Sequence, residues 1–244
     1  CFGAFVLASS VIPMGFQEPM SKLTLDVACM AAPWLLSLGF VTAFSALFSK
    51  TWRLNKLFGH GQGFRRIEVQ ARDVMLPFIA LMLLNISFLV MWTVAAPMTW
   101  TRVDVANYDS FGRSVESYGT CSSGEGKTEN AVETTALVGI LLVNLVALVV
   151  ANYQCYKARN LPTDFNESFY ITLSNASMLE ALVLGGPILL VVDENPASTF
   201  LVRSILATIV CFTMLLPVFV PKYMQRNIRK KRRAAGYRSQ VIVS

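Results

Sequence analysis

The chain has 244 residues, of which 54% are hydrophobic and only 15% charged, with a formal net charge of +6 and a mean hydropathy of +0.51. Ordinary water-soluble domains carry about 25% charge, so a soluble fold of this length would expose much apolar surface, and lipid is the better solvent. The basic excess is no signature of nucleic acid, and no such partner is expected; in a membrane protein the placement of Lys and Arg carries more information than their sum.

Six apolar stretches follow in chain order, at about residues 1–16, 29–49, 74–96, 132–155, 169–192 and 198–220. Most approach the roughly 20 residues needed to cross a hydrocarbon core of about 30 Å. The predicted fold class is therefore an all-α membrane protein, a bundle over residues 1–220 followed by a basic tail, 221–244. Pro33, Pro77, Pro187 and Pro217 mark expected kinks or breaks, tolerated where neighbouring helices re-satisfy the backbone. The first stretch opens the chain at Cys1 with no Met or basic leader, as expected for a fragment that has lost a preceding helix.

The connections supply a topology. Segments 50–72, 156–168 and the tail after Val220 hold 16 of the 21 basic residues, whereas 17–28, 97–131 and 193–197 carry most of the interspersed acids. By the positive-inside rule the first set, and the C-terminus, are cytoplasmic and the second extracellular. The tail run Arg229-Lys230-Lys231-Arg232-Arg233 is a candidate for anionic lipid headgroups.

Two of the five cysteines, Cys29 and Cys121, fall on the outer side. An oxidising compartment makes a bridge between them the natural pairing, the alternative being two unrelated thiols. Cys1, Cys155 and Cys211 sit in or at the ends of helices and are read as packing residues, Cys155 also as an acylation candidate. Sequons at Asn85, Asn166 and Asn175 lie within spans or in a cytoplasmic loop, so none is expected to carry glycan.

Glu180 and Arg203 are the candidate intramembrane charges, since an ionisable group at such depth is expensive and usually functional. Adjacent antiparallel helices would let them pair directly or through water, or Arg203 snorkels outward instead. Asn85, Asn144, Asn152 and Asn175 are expected to hydrogen-bond between helices. No hydrolase, kinase or phosphate-loop constellation appears, and the single His60 has no ligand set around it. Enzymatic chemistry, a metal centre and a cofactor are not expected. The last stretch lacks the Lys that retinal attachment would require.

The run Trp34-Leu35-Leu36-Ser37-Leu38-Gly39-Phe40 with the ending Phe48-Ser49-Lys50-Thr51-Trp52-Arg53 resembles the third transmembrane helix of class C G-protein-coupled receptors, most nearly that of metabotropic GABA type B receptors. Cys121-Ser122-Ser123, Pro187 and Phe219-Val220-Pro221-Lys222 follow in the family's order. The resemblance implies a heptahelical receptor bundle with six of seven helices present, second to seventh, and places Cys29 and Cys121 at the family's disulfide positions. It also implies an ionic lock between Lys50 and Glu167, and G-protein contacts at Arg53, Lys56, Arg65 and Arg66. The partners implied are a heterotrimeric G protein and a class C receptor subunit in a homo- or heterodimer, with the plasma membrane as location. Glu180 departs from the family, which usually has an uncharged residue there. A secondary transporter and a receptor-like protein that no longer couples are the alternatives; a transporter would show an internal repeat between the halves, and none is seen.

Overall fold

A computed structural model describes residues 2–58, 71–104, 117–123, 127–158, 167–191 and 196–242 of the backbone, with side chains chiefly over 2–49, 75–104, 117–123, 130–156, 172–185 and 198–216. Among the described residues seven helical segments and one hairpin follow in chain order: α1 (Phe2–Ser9), α2 (Val11–Met14), α3 (Lys22–Phe58), α4 (Ala71–Ala95), β1 (Thr99–Asp104), β2 (Ser117–Ser122), α5 (Lys127–Ala158), α6 (Glu167–Val191) and α7 (Pro196–Ile242).

Among the described residues, four segments are long and apolar enough to cross a bilayer: Lys22–Ser49, Met75–Ala95, Asn130–Tyr156 and Ser198–Leu216. Each remains largely uncovered by protein, and the uncovered side chains are apolar, among them Leu76, Leu83 and Val94 on α4 and Leu142, Val146 and Val149 on α5. Such surface needs lipid around it.

The first apolar stretch is split. Pro13 has no N–H to donate back to Ser9, so the helix cannot run through regularly; the Ser10 N–H bonds to the Leu7 carbonyl at 3.1 Å, and its hydroxyl reaches the same oxygen at 2.6 Å. By contrast α3 continues through Pro33 for 37 residues, about 55 Å at 1.5 Å per residue, and projects well beyond a hydrocarbon core. The 47-residue α7 likewise runs on into the region expected only to be a basic tail.

The bundle is organised around α3, which packs against α1, α4, α5, α6 and α7. Its aromatic side chains at successive i, i+4 positions, Phe40, Phe44, Phe48 and Trp52, form a ladder with ring centroids 5.8, 6.1 and 5.7 Å apart. That spacing puts them on one helical face. Around Phe44 and Leu47 gather Leu148 and Ala151 from α5, Met178 from α6 and Met214 from α7, the largest buried cluster.

The closest approach is between α1 and α3. A Cβ added to Gly39 would stand 2.4 Å from the Leu7 backbone nitrogen, and one added to Gly3 would stand 2.4 Å from that of Ala43. Each helix contributes a glycine where the other's backbone passes, the small-residue contact by which helices associate in lipid without a hydrophobic driving force. Gly39→Ala is expected to force the two helices apart and cost about 1–3 kcal/mol. Gly15→Ala, whose nearest neighbour would lie at an ordinary 3.5 Å, should leave the midpoint of thermal unfolding in detergent nearly unchanged. Equal midpoints for the two variants would contradict the close contact.

Candidate functional site: a clamped lid, a polar middle and a basic end

At one end of the bundle the segment between α4 and α5 forms a two-stranded antiparallel hairpin, with Trp100 opposite Cys121 and Thr99 opposite Ser122. This hairpin is tied to α3 by several bonds of different kinds. Cys29 and Cys121 are joined by a disulfide with their Cα atoms 5.6 Å apart, across 92 residues of sequence. One turn before Cys29, Asp26 accepts the Trp100 N–H at 2.7 Å, and one residue after it Met30 sulfur accepts the Met98 N–H at 3.2 Å. Arg102 pairs with Glu18 at 2.7 Å, and buried Ser123 donates to Glu133 at the start of α5. Gly119 leaves room for the Trp100 indole to lie across the partner strand.

The bundle interior holds polar side chains that find partners on other helices. Asn85 of α4, fully buried, accepts from the Ser37 hydroxyl of α3 at 3.1 Å and from the Asn144 amide of α5 at 2.9 Å, while its own amide returns to the Leu81 carbonyl. Further toward the hairpin, the Trp34 indole N–H donates to Thr93 at 3.0 Å. Toward the opposite end, Asn152 donates to the Asn175 carbonyl at 3.3 Å, the Asn175 amide donates to Cys155 sulfur at 3.2 Å, and Ser174 donates to the Thr213 carbonyl. All four asparagines therefore bridge helices. Cys155 is almost fully buried and engaged by Asn175, which removes it as an acylation site. Cys211, also buried, points at the Ala4 carbonyl.

The intramembrane pair expected between Glu180 and Arg203 is not formed. Ser174 against Thr213 and Gly185 against Leu206 set the register of α6 on α7. Arg203 then lies about two turns, or roughly 10 Å, nearer the hairpin end than Glu180. Both residues are exposed, and Glu180 takes no hydrogen bond or ion pair among the described residues.

At the end away from the hairpin, Lys50, Arg53 and Lys56 fall on the last turns of α3, and Glu167 opens α6. Their side chains lie outside the described residues, as do Arg65 and Arg66 altogether, together with His60 and Asn166. Backbone direction brings the C-terminal part of α3 and the start of α6 to the same end of the bundle.

A central α3 tethered by a disulfide to a hairpin lid, within a bundle of apolar spanning helices, is the arrangement against which relatives can be weighed. The family model of the "7 transmembrane sweet-taste receptor of 3 GCPR" matches residues 1–222. The chain belongs to the class C G-protein-coupled receptor family. It is a multi-pass membrane protein and forms this family's transmembrane domain; the family is one of receptors, not enzymes, which closes the transporter alternative. Metabotropic glutamate receptor-like protein E of Dictyostelium discoideum is 25% identical over 224 residues, 91% of this chain and 25% of that protein. Gamma-aminobutyric acid type B receptor subunit 2 of Homo sapiens is 24% identical over 230 residues, 90% of this chain and 23% of its own length. The subunit 2 of Caenorhabditis elegans is 24% identical over 227 residues, 91% of this chain and 26% of its own length. The chain thus spans about a quarter of the length of the curated relatives it matches.

The hairpin and its non-covalent clamps were not read from the sequence, although Thr-Trp-Thr-Arg-Val-Asp at 99–104 is rich in strand formers. The polar hub is open to test. Asn85→Leu is expected to cost about 1–2 kcal/mol by leaving Ser37 and Asn144 without their shared acceptor. Once Asn85 is Leu, Ser37→Ala should add almost nothing, whereas alone it has a measurable cost. Strict additivity in a double-mutant cycle of thermal stability would show that the hub is not shared.

Proposed function

We propose that this chain is the signalling core of a GABA type B-like receptor, which passes an extracellular ligand signal through the bundle to a heterotrimeric G protein. The hairpin end faces outside, and the Lys50 end and the C-terminus lie in the cytoplasm of the plasma membrane. The observation that carries this reading is charge asymmetry. The connections at the hairpin-free end and the tail hold 16 of 21 basic residues, as expected of cytoplasmic loops, and the family match covers residues 1–222.

On this reading Lys50 and Glu167 form an ion pair that holds α3 and α6 together in the inactive state, and Arg53, Lys56, Arg65 and Arg66 present a basic surface to the G protein. The subunit works beside a second class C receptor subunit, identical or different, and the basic tail rests on anionic headgroups. An ion pair at a wet helix end contributes up to about 1 kcal/mol, so its loss shifts the active-to-inactive ratio by at most about fivefold.

Basal G-protein activation by the full-length receptor, measured as nucleotide exchange in membranes, is the direct test. Lys50→Glu and Glu167→Lys are each expected to raise it up to about fivefold, and the two together to bring it back toward the starting level. Unchanged basal exchange in both single variants would remove the lock. Absence of any agonist-stimulated exchange in the unaltered receptor would favour the receptor-like protein that does not couple.

A further inference from the structure

At the hairpin end a cavity of about 470 Å³ opens between the segment that precedes α3, the first turn of α3 and strand β1. Buried Leu25, the Trp100 indole and Met20 supply the apolar part of its lining, and Glu18, Lys22 and Arg102 the charged part. Trp100 is held in place there: its N–H bonds to Asp26 at 2.7 Å, it stands opposite Cys121, and its ring lies across Gly119. The three charges do not cancel. Arg102 meets Glu18 through one guanidinium nitrogen at 2.7 Å, which leaves most of its five N–H donors uncommitted. Lys22 makes no ion pair or side-chain hydrogen bond among the described residues. Two cations thus share the lining with a single carboxylate, next to apolar surface that nothing in the chain covers.

We propose that this cavity binds a small monocarboxylate with an aromatic or branched apolar body. The carboxylate sits between Lys22 and Arg102, where charge-assisted hydrogen bonds and the planar fork of the guanidinium favour it, and the apolar body lies on Leu25 and Trp100. The volume is within the usual range for small-ligand sites, about 300–1,000 Å³. Glu18 sets the limit on charge: a dianion brings its second charge against that carboxylate, and a cation meets Lys22 and Arg102. Once bound, the molecule joins the first turn of α3 to β1 through Lys22 and Arg102, a further tie beside the disulfide and the bonds from Asp26 and Met30.

The test uses the full chain purified in detergent, where both ends of the bundle are open to solute, so the result holds whichever side of the membrane the hairpin occupies. The probe is para-fluorophenylacetate, compared with para-fluorophenylacetamide, which has the same shape and no charge. Binding is read from fluorine NMR line broadening, with protein-free micelles as background for both. The acid is expected to bind about fivefold or more tighter than the amide, the ratio that roughly 1 kcal/mol confers. Lys22→Gln and Arg102→Gln should each weaken the acid by about twofold or more and leave the amide unchanged, and the two together should erase the preference. Glu18→Gln releases the Arg102 guanidinium and should tighten the acid by about two- to fivefold, an effect that a merely structural role for the Glu18–Arg102 pair does not produce. Lys22→Gln removes no contact within the described chain, so its result decides even where another variant is unstable. No binding of the acid above background, equal binding of acid and amide, a preference that survives the double variant, or weaker acid binding in a folded Glu18→Gln would each overturn the proposal.

Discussion

In hydrocarbon no water is available to a peptide group, so each backbone N–H and C=O in a span must be paired within its own helix. This constraint accounts for the long uninterrupted helices of the chain, and for the length of α3 and α5 relative to ordinary soluble helices. It also explains why Pro33 and Pro77 lie inside helices that do not end there: neighbouring helices exclude alternatives and absorb the missing bond. The interruption at Ser10 is repaired on the spot by the bonds that its N–H and hydroxyl make to Leu7.

With backbones satisfied internally and lipid as apolar as the side chains, association must come from close packing and from polar side chains that seek partners. Both are present, and they divide the work by position. Reciprocal glycines bring α1 against α3, while Asn85 ties α3, α4 and α5 at one point and the Asn152–Asn175 contact joins α5 to α6. The hairpin end is fixed by bonds of another order, a covalent bridge reinforced by Asp26 and Met30 on successive turns of the same helix. A lid held that firmly is fastened to the helix that contacts most of the others. At the opposite end α3 emerges with Lys50, Arg53 and Lys56 on its last turns. One rigid element therefore runs the whole distance between the two faces.

Much of this was legible beforehand. The spans stood out because the solvent is hydrocarbon and demands apolar residues in unbroken runs; helix positions at 74–96 and 132–155 agree with α4 and α5 to within a few residues at most of their ends. The bridge between Cys29 and Cys121 followed from the expectation that both thiols fall on the same side, and the asparagines from the cost of leaving an amide alone in lipid. The break at Ser10, the helical continuation of the tail and the hairpin were missed. Each depends on local backbone geometry or on a surface to lean against, and none is marked by a change in hydrophobicity.

The sequence by itself determined the solvent and the family, because both are written in composition and in the order of apolar and basic segments. Only the tertiary structure decided which face each residue occupies. Asn85 turned inward to serve three helices, whereas Glu180 was left exposed on the outer face of α6. Depth is a matter of position along the chain, but orientation about a helix axis is set by what packs against it. On α6 the inward face is committed to Ser174, Asn175 and Met178, and nothing in that packing turns Glu180 inward.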